Sequence, residues 1–120
     1  MASESAFIGY LMEQLQWVGP ISGRRMFGGY GIFLEGLMFG IVFDNTLYLK
    51  VDEDSKSDFV SLGLPPFIYS RGAKDVALSY FQTPEEALDD SEMLITWANR
   101  AYAAAMRCAA EKTKKPRSSV

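Results

Sequence analysis

The chain has 120 residues, 48% hydrophobic and 13% aromatic, with a net charge of −3, a single cysteine and no histidine. This is the length of one domain with enough apolar content for an unstapled core, which excludes intrinsic disorder and a disulfide-held mini-scaffold. The missing histidine removes Ser-His-Asp, Cys-His and His-based zinc chemistry within one chain.

The charge is unevenly placed. Residues 1–110 hold 8 Lys/Arg against 14 Asp/Glu, a net of −6, whereas 111–120 hold 4 against 1, a net of +3. An acidic body is a poor start for binding DNA, because contacts to phosphates supply most nonspecific affinity. The domain is therefore expected over 1–110, with 111–120 a basic, disordered tail. No basic segment leads into an apolar run at the start, and no run approaches the roughly 20 residues of a membrane span, so the expected location is the cytoplasm and not a membrane. Cys108, in RCAA, reads as a small packing residue on a helix and suits a reducing compartment.

The first element is a helix capped by Ser3 or Ser5, with Phe7, Leu11, Leu15 and Val18 on one face and Gly19-Pro20 as its stop. The period then becomes two. Strands are expected at 24–27, 30–35, 37–43 and 46–51, with reversals at Gly28-Gly29, Gly36 and Asp44-Asn45. In 37–43 the alternation puts Leu37, Phe39, Ile41 and Phe43 on one face and Met38 and Val42 on the other, so both faces of that strand need cover.

A short helix follows, entered near Asp54 or Ser55 and closed at Gly63 before Pro65-Pro66. Two further strands fall at 67–70 and 75–81. In TPEE, 83–86, Thr83 is placed to cap a helical turn that has Pro at its first position, and Asp89 with Glu92 starts the next helix. That last helix, over about 91–111, carries Leu94, Trp97, Ala101 and Ala105 as an apolar seam. The fold class is α+β: an N-terminal helix, an antiparallel meander sheet of five to six strands with a short inserted helix, and a long C-terminal helix packed on the sheet.

Chemical motifs are sparse. Gly23 and Gly28 have the first spacing of a phosphate-binding P-loop, but Gly29-Tyr30 stand where Lys and a hydroxyl are needed, and GxGxxG fails at Leu34. The run Asp52, Glu53, Asp54, Asp58 lacks the Gly and Glu of a calcium loop, and reads as a helix entry. Tyr30, Tyr48, Tyr69 and Tyr80 line either a ligand pocket or the core, and alternating strand aromatics favour the core. No catalytic residue, metal ligand or cofactor is assigned.

Taken in order, RRMFGGYGIF, GLMFGIV, LYLK, GLPPFIYS, VALSYFQTPEE and LITWANRAYAAA resemble the N-terminal domain of the TfoX/Sxy competence-regulator family over about residues 5–108. The resemblance implies the same α+β fold and a non-enzymatic, protein-binding regulatory role. Larger members are bacterial regulators of DNA-uptake genes that act with the cyclic-AMP receptor protein and carry a second domain, so this chain is expected to be a stand-alone first domain. Arg24, Arg25, Met26 and Phe27, beside the hairpin glycines Gly28 and Gly29, form the expected contact surface. The expected partner is a protein, with the transcription machinery or a second copy of the chain as its identity. Two alternatives stay open: a small-ligand site or unrecognised enzyme built on the glycine hairpin and the arginines, and weak direct nucleic-acid binding.

Overall fold

The computed structural model describes residues 4–26 and 28–114. Helix α1 (Glu4–Leu15) buries Ile8, Leu11 and Leu15, with Phe7 and Val18 half-buried along the same side. The anticipated cap Ser3 lies outside the described residues, and Ser5 stands inside the helix. Four strands then run back and forth: β1 (Ile21–Met26), β2 (Gly29–Leu34), β3 (Leu37–Phe43) and β4 (Thr46–Lys50). β1 begins three residues before the expected start, because Ile21, Ser22 and Gly23 pair with Leu34, Phe33 and Ile32.

Each reversal takes two residues. Glu35-Gly36 and Asp44-Asn45 hold positive φ at both positions, 53° and 81° in the first and 54° and 57° in the second. That matches the right-handed twist of the strands they join. At the first reversal Met26 pairs with Gly29, and Gly28 has φ 77°. The two glycines thus serve different needs. Gly28 supplies the turn, whereas Gly29 already belongs to β2, where an added Cβ would lie 2.3 Å from the Val42 carbonyl oxygen.

Helix α2 (Lys56–Ser61) carries the chain to a second hairpin, β5 (Pro66–Arg71) and β6 (Lys74–Gln82), followed by α3 (Glu85–Leu88) and α4 (Ser91–Lys114). The sheet order is β1-β2-β3-β4-β6-β5, with every neighbouring pair antiparallel. The meander therefore ends at β4, and the hairpin docks through its second strand. α4 lies on β3 and β4 and beside α1. Leu94, Ala98, Ala101, Ala104 and Ala105 are all buried, and small side chains let the helix approach the sheet closely.

The face assignment along β3 needs a correction. Ile32 pairs with Gly40 but Phe33 with Met38, so Phe39 is an extra residue, a β-bulge. The bulge resets the alternation: Phe39 and Val42 enter the helix-side core, while Met38, Ile41 and Phe43 stand on the opposite face. Phe39 meets the ring of Tyr102 on α4 edge-on, with centroids 6.1 Å apart.

No helix packs on that opposite face among the described residues; Ile41, Phe67 and Tyr80 are buried there by the sheet itself. Phe67 on β5 lies three strands from Phe43 on β3, a separation of about 14 Å in a flat sheet. Their ring centroids are 5.3 Å apart. The sheet is therefore strongly curled, and the Tyr80 hydroxyl closes it by donating to the Met38 carbonyl at 3.0 Å.

Two capping expectations also change. Thr83 does not cap α3: it is buried, and both its backbone N–H and its hydroxyl donate to the Leu47 carbonyl of β4, each at 2.9 Å. α4 is capped by Asp90 and not Asp89, through the Met93 N–H at 3.1 Å. The exit of α2 is as expected: Gly63 at φ 74° donates to Val60, and Leu64 donates to Phe59.

The glycines of β2 give the first prediction. Gly29→Ala forces a methyl into a backbone carbonyl and loses about 3 kcal/mol of stability, whereas Gly31→Ala meets the movable sulfurs of Met26 and Met38 and loses about 1 kcal/mol. Urea unfolding of both variants checks the order.

Candidate protein-docking surface

Among the described residues strand β1 forms one edge of the sheet, paired with β2 alone. Of the four residues expected to make contact, Arg24, Arg25 and Met26 lie on it, and Phe27 lies outside the described residues. Strand alternation divides the three. Arg24 sits opposite Gly31 and places its guanidinium over Phe33, 4.9 Å from the ring centroid, and the Met26 sulfur covers the same glycine. Arg25 sits opposite Tyr30, whose ring packs against the helix-side core. Arg24 and Met26 thus share the curled face, and Arg25 looks the other way. The pair straddles the edge.

Both arginines are exposed, and among the described residues neither lies within ion-pair distance of a carboxylate. Stacking on Phe33 orders Arg24 at a cost in freedom already met in the free protein. Just before β1 stands Trp17, 75% exposed, in the turn that closes α1. Sequence reasoning passed over this residue. The signal was present, since Trp17 falls off the Phe7, Leu11, Leu15, Val18 stripe, and a large aromatic off the stripe has no core to enter.

The tyrosines divide between core and rim. Tyr80 is buried, and that burial pushes its phenol well above the usual range, while burial and then the Asp44 charge raise Tyr48. Tyr48 and Tyr69 pack against the buried cluster of the curled face, and Tyr30 against the other core. They cover apolar residues of the two cores.

The remaining arginines of α4 are engaged. Arg100 pairs with Asp58 and lies over the Trp97 ring, and Arg107 forks onto Asp52 through Nε and a terminal nitrogen. A shallow depression of about 150 Å³ lies between them, lined by Asp54, Ser55, Arg100, Ala103 and Arg107. The acidic run thus serves the entry of α2. Asp52 accepts from the Ser55 N–H and hydroxyl at 3.1 and 3.0 Å, and its own N–H donates to the Ser55 oxygen at 3.1 Å. Among the described residues no three His, Cys, Asp or Glu side chains gather as metal ligands.

The hydrogen bond from Arg107, helped by those from Ser55, holds the Asp52 carboxyl at about 2, below its ordinary 3.8. A folded-state value below the unfolded one stabilises fully above the unfolded pKa and is lost as pH falls through the folded value. Asp52→Asn should therefore lose about 1 kcal/mol at pH 7, discounted because Arg107 is exposed to solvent. The difference between variant and parent should shrink between about pH 4 and pH 2. Thermal unfolding across that range checks it.

The described residues thus combine an α+β body, an edge strand with two exposed arginines and an exposed tryptophan. Residues 13–105 match the model of the TfoX N-terminal domain, and the chain belongs to that family. It is related to the DNA transformation protein TfoX1 and Protein Sxy over part of their length. Over 68 residues it is 32% identical to the DNA transformation protein TfoX1 of Aliivibrio fischeri (strain ATCC 700601 / ES114), a stretch covering 57% of this chain and 32% of that protein. Over 95 residues it is 26% identical to Protein Sxy of Escherichia coli (strain K12), covering 79% of this chain and 46% of that protein. The matched region thus spans less than half the length of either relative.

Proposed function

We propose that the protein is a cytoplasmic docking module in the control of DNA-uptake genes, and that it binds a protein of the transcription machinery through the β1 edge. The observation that carries this reading is the open edge strand with Arg24 and Arg25 on its two faces and Trp17 at its start. Tryptophan and arginine dominate the energetics of protein interfaces, and an unpaired strand offers backbone donors and acceptors besides. The acidic body supports a protein partner over nucleic acid, because a surface of the wrong sign repels phosphates at every range that salt leaves unscreened. Family membership supports the regulatory setting, and the relative from Aliivibrio fischeri is named for DNA transformation.

Each part of the edge has its own work. Arg24 is pre-ordered on Phe33 and so loses little freedom when it meets a carboxylate. Arg25 presents a second cation on the helix side of the same strand. Trp17 supplies the apolar anchor. A second copy of the chain is the competing occupant, and its sign is an apparent mass that rises with concentration.

Trp17→Ala and the double variant Arg24→Glu/Arg25→Glu should each reduce recovery of the partner more than tenfold in crosslinking from native cells. Unfolding free energies should stay within about 0.5 kcal/mol of the parent, since these side chains are exposed. Undiminished recovery by both variants contradicts the assignment, as does binding to DNA at low salt that outcompetes the protein partner.

A further inference from the structure

At the other end of the sheet from β1, three segments of the chain enclose a second surface. Leu62 and Leu64 after α2, Gln82 and Pro84 after β6, Glu85 and Glu86 on α3, and Met93 and Trp97 on α4 line a groove of about 380 Å³, open to solvent on one side. Its base is rigid. Trp97 packs edge-on against buried Phe59 at 4.9 Å between centroids, and Phe59 lies 5.9 Å from Phe81. Leu62 is 58% exposed and Met93 37%, and Val60 on α2, 55% exposed, continues the apolar strip beyond the groove.

The charged residues that line it are Glu85 and Glu86. Residues 75–99 hold no Lys or Arg. Arg100, the next cation along α4, lies over Trp97 and is paired with Asp58. An apolar channel under an acidic rim selects a segment whose aliphatic side chains are flanked by Lys or Arg, the pattern of a basic amphipathic helix.

The basic run of this chain is not the occupant of its own groove. From Trp97 to Lys114, α4 rises about 26 Å. Residues 115–120 reach at most about 21 Å even when fully extended.

We infer that the groove between α2, α3 and α4 is a second docking site, which takes a basic amphipathic helix of a partner protein through aliphatic anchors on Leu62, Leu64, Met93 and Trp97 and cations on Glu85 and Glu86. The site adjoins β6, four strands from the β1 edge in the order β1-β2-β3-β4-β6-β5, and includes no residue of that edge. One module can then hold two partners, or two segments of one partner, at once. Loss of binding at either surface leaves the other intact.

The test uses the full chain labelled for amide NMR, with a 14-residue helix of leucine and lysine in amphipathic order as the probe and its leucine–glutamate counterpart as control. The lysine peptide should shift the resonances of Leu62, Leu64, Met93 and Trp97, saturate, and leave Trp17 and residues 21–26 unmoved. Leu62→Asp and, separately, Glu85→Lys/Glu86→Lys should each weaken it at least tenfold. These side chains are exposed, and an unchanged amide spectrum away from the substitutions verifies the fold of each variant. The proposal is overturned if the peptide shifts other surfaces instead, if the glutamate peptide binds as well, or if both variants bind like the parent. It is also overturned if the groove resonances move with protein concentration alone, which would make the occupant a second copy of the chain.

Discussion

Helices cover one face of the sheet, yet apolar side chains stand on both. The rest of the structure follows from how this conflict is resolved. A bulge at Phe39 sends two consecutive β3 residues toward the helices, which leaves Ile41 and Phe43 on the bare face. The sheet then curls until Phe67 of the far hairpin lies on Phe43 and the Tyr80 hydroxyl reaches the Met38 carbonyl. The bare face becomes a second, smaller core. The curl buries Ile41, Phe67 and Tyr80, and it leaves the β1 edge at one end and the groove beside α3 and α4 at the other open to solvent.

The charges follow the same division. On α4, Arg100 and Arg107 are held by Asp58 and Asp52 and tie the entry of α2 to the long helix. Tyr10 of α1 adds a further tie, donating to the Leu88 carbonyl at 2.7 Å. Arg24 and Arg25 carry no such duty, and the carboxylates of α3 and the start of α4 face outward in a stretch with no cation. Arg24, stacked on Phe33, and Arg25, on the other face of β1, leave two cations exposed on an acidic body.

Much of the architecture was legible in the sequence, because local chemistry and tertiary context agree there. Asp44-Asn45 and Gly36 require positive φ, and Gly63 before two prolines ends a helix wherever it stands. The seam of α4 also read correctly, with Ala98 and Ala104 joining Leu94, Ala101 and Ala105. The failures share one cause, a partner distant in sequence. Thr83 looked like a cap until β4 supplied the Leu47 carbonyl, and β3 looked regular until its pairing with β2 slipped at Phe39. The arginine pair was visible, but its division between two faces needed the register against Gly31 and Tyr30. The groove was invisible for the same reason, being built from segments near 62, 84 and 95 that only the fold brings together.

The central claim is that this module meets its partner along the β1 edge. The most direct measurement replaces Trp17 with a photoreactive phenylalanine analogue in living cells, with the same analogue placed at exposed Val76 on β6 as a reference. The account predicts one discrete adduct with another protein from position 17 and none from position 76. Equal labelling from both positions, or no adduct from position 17, would contradict it.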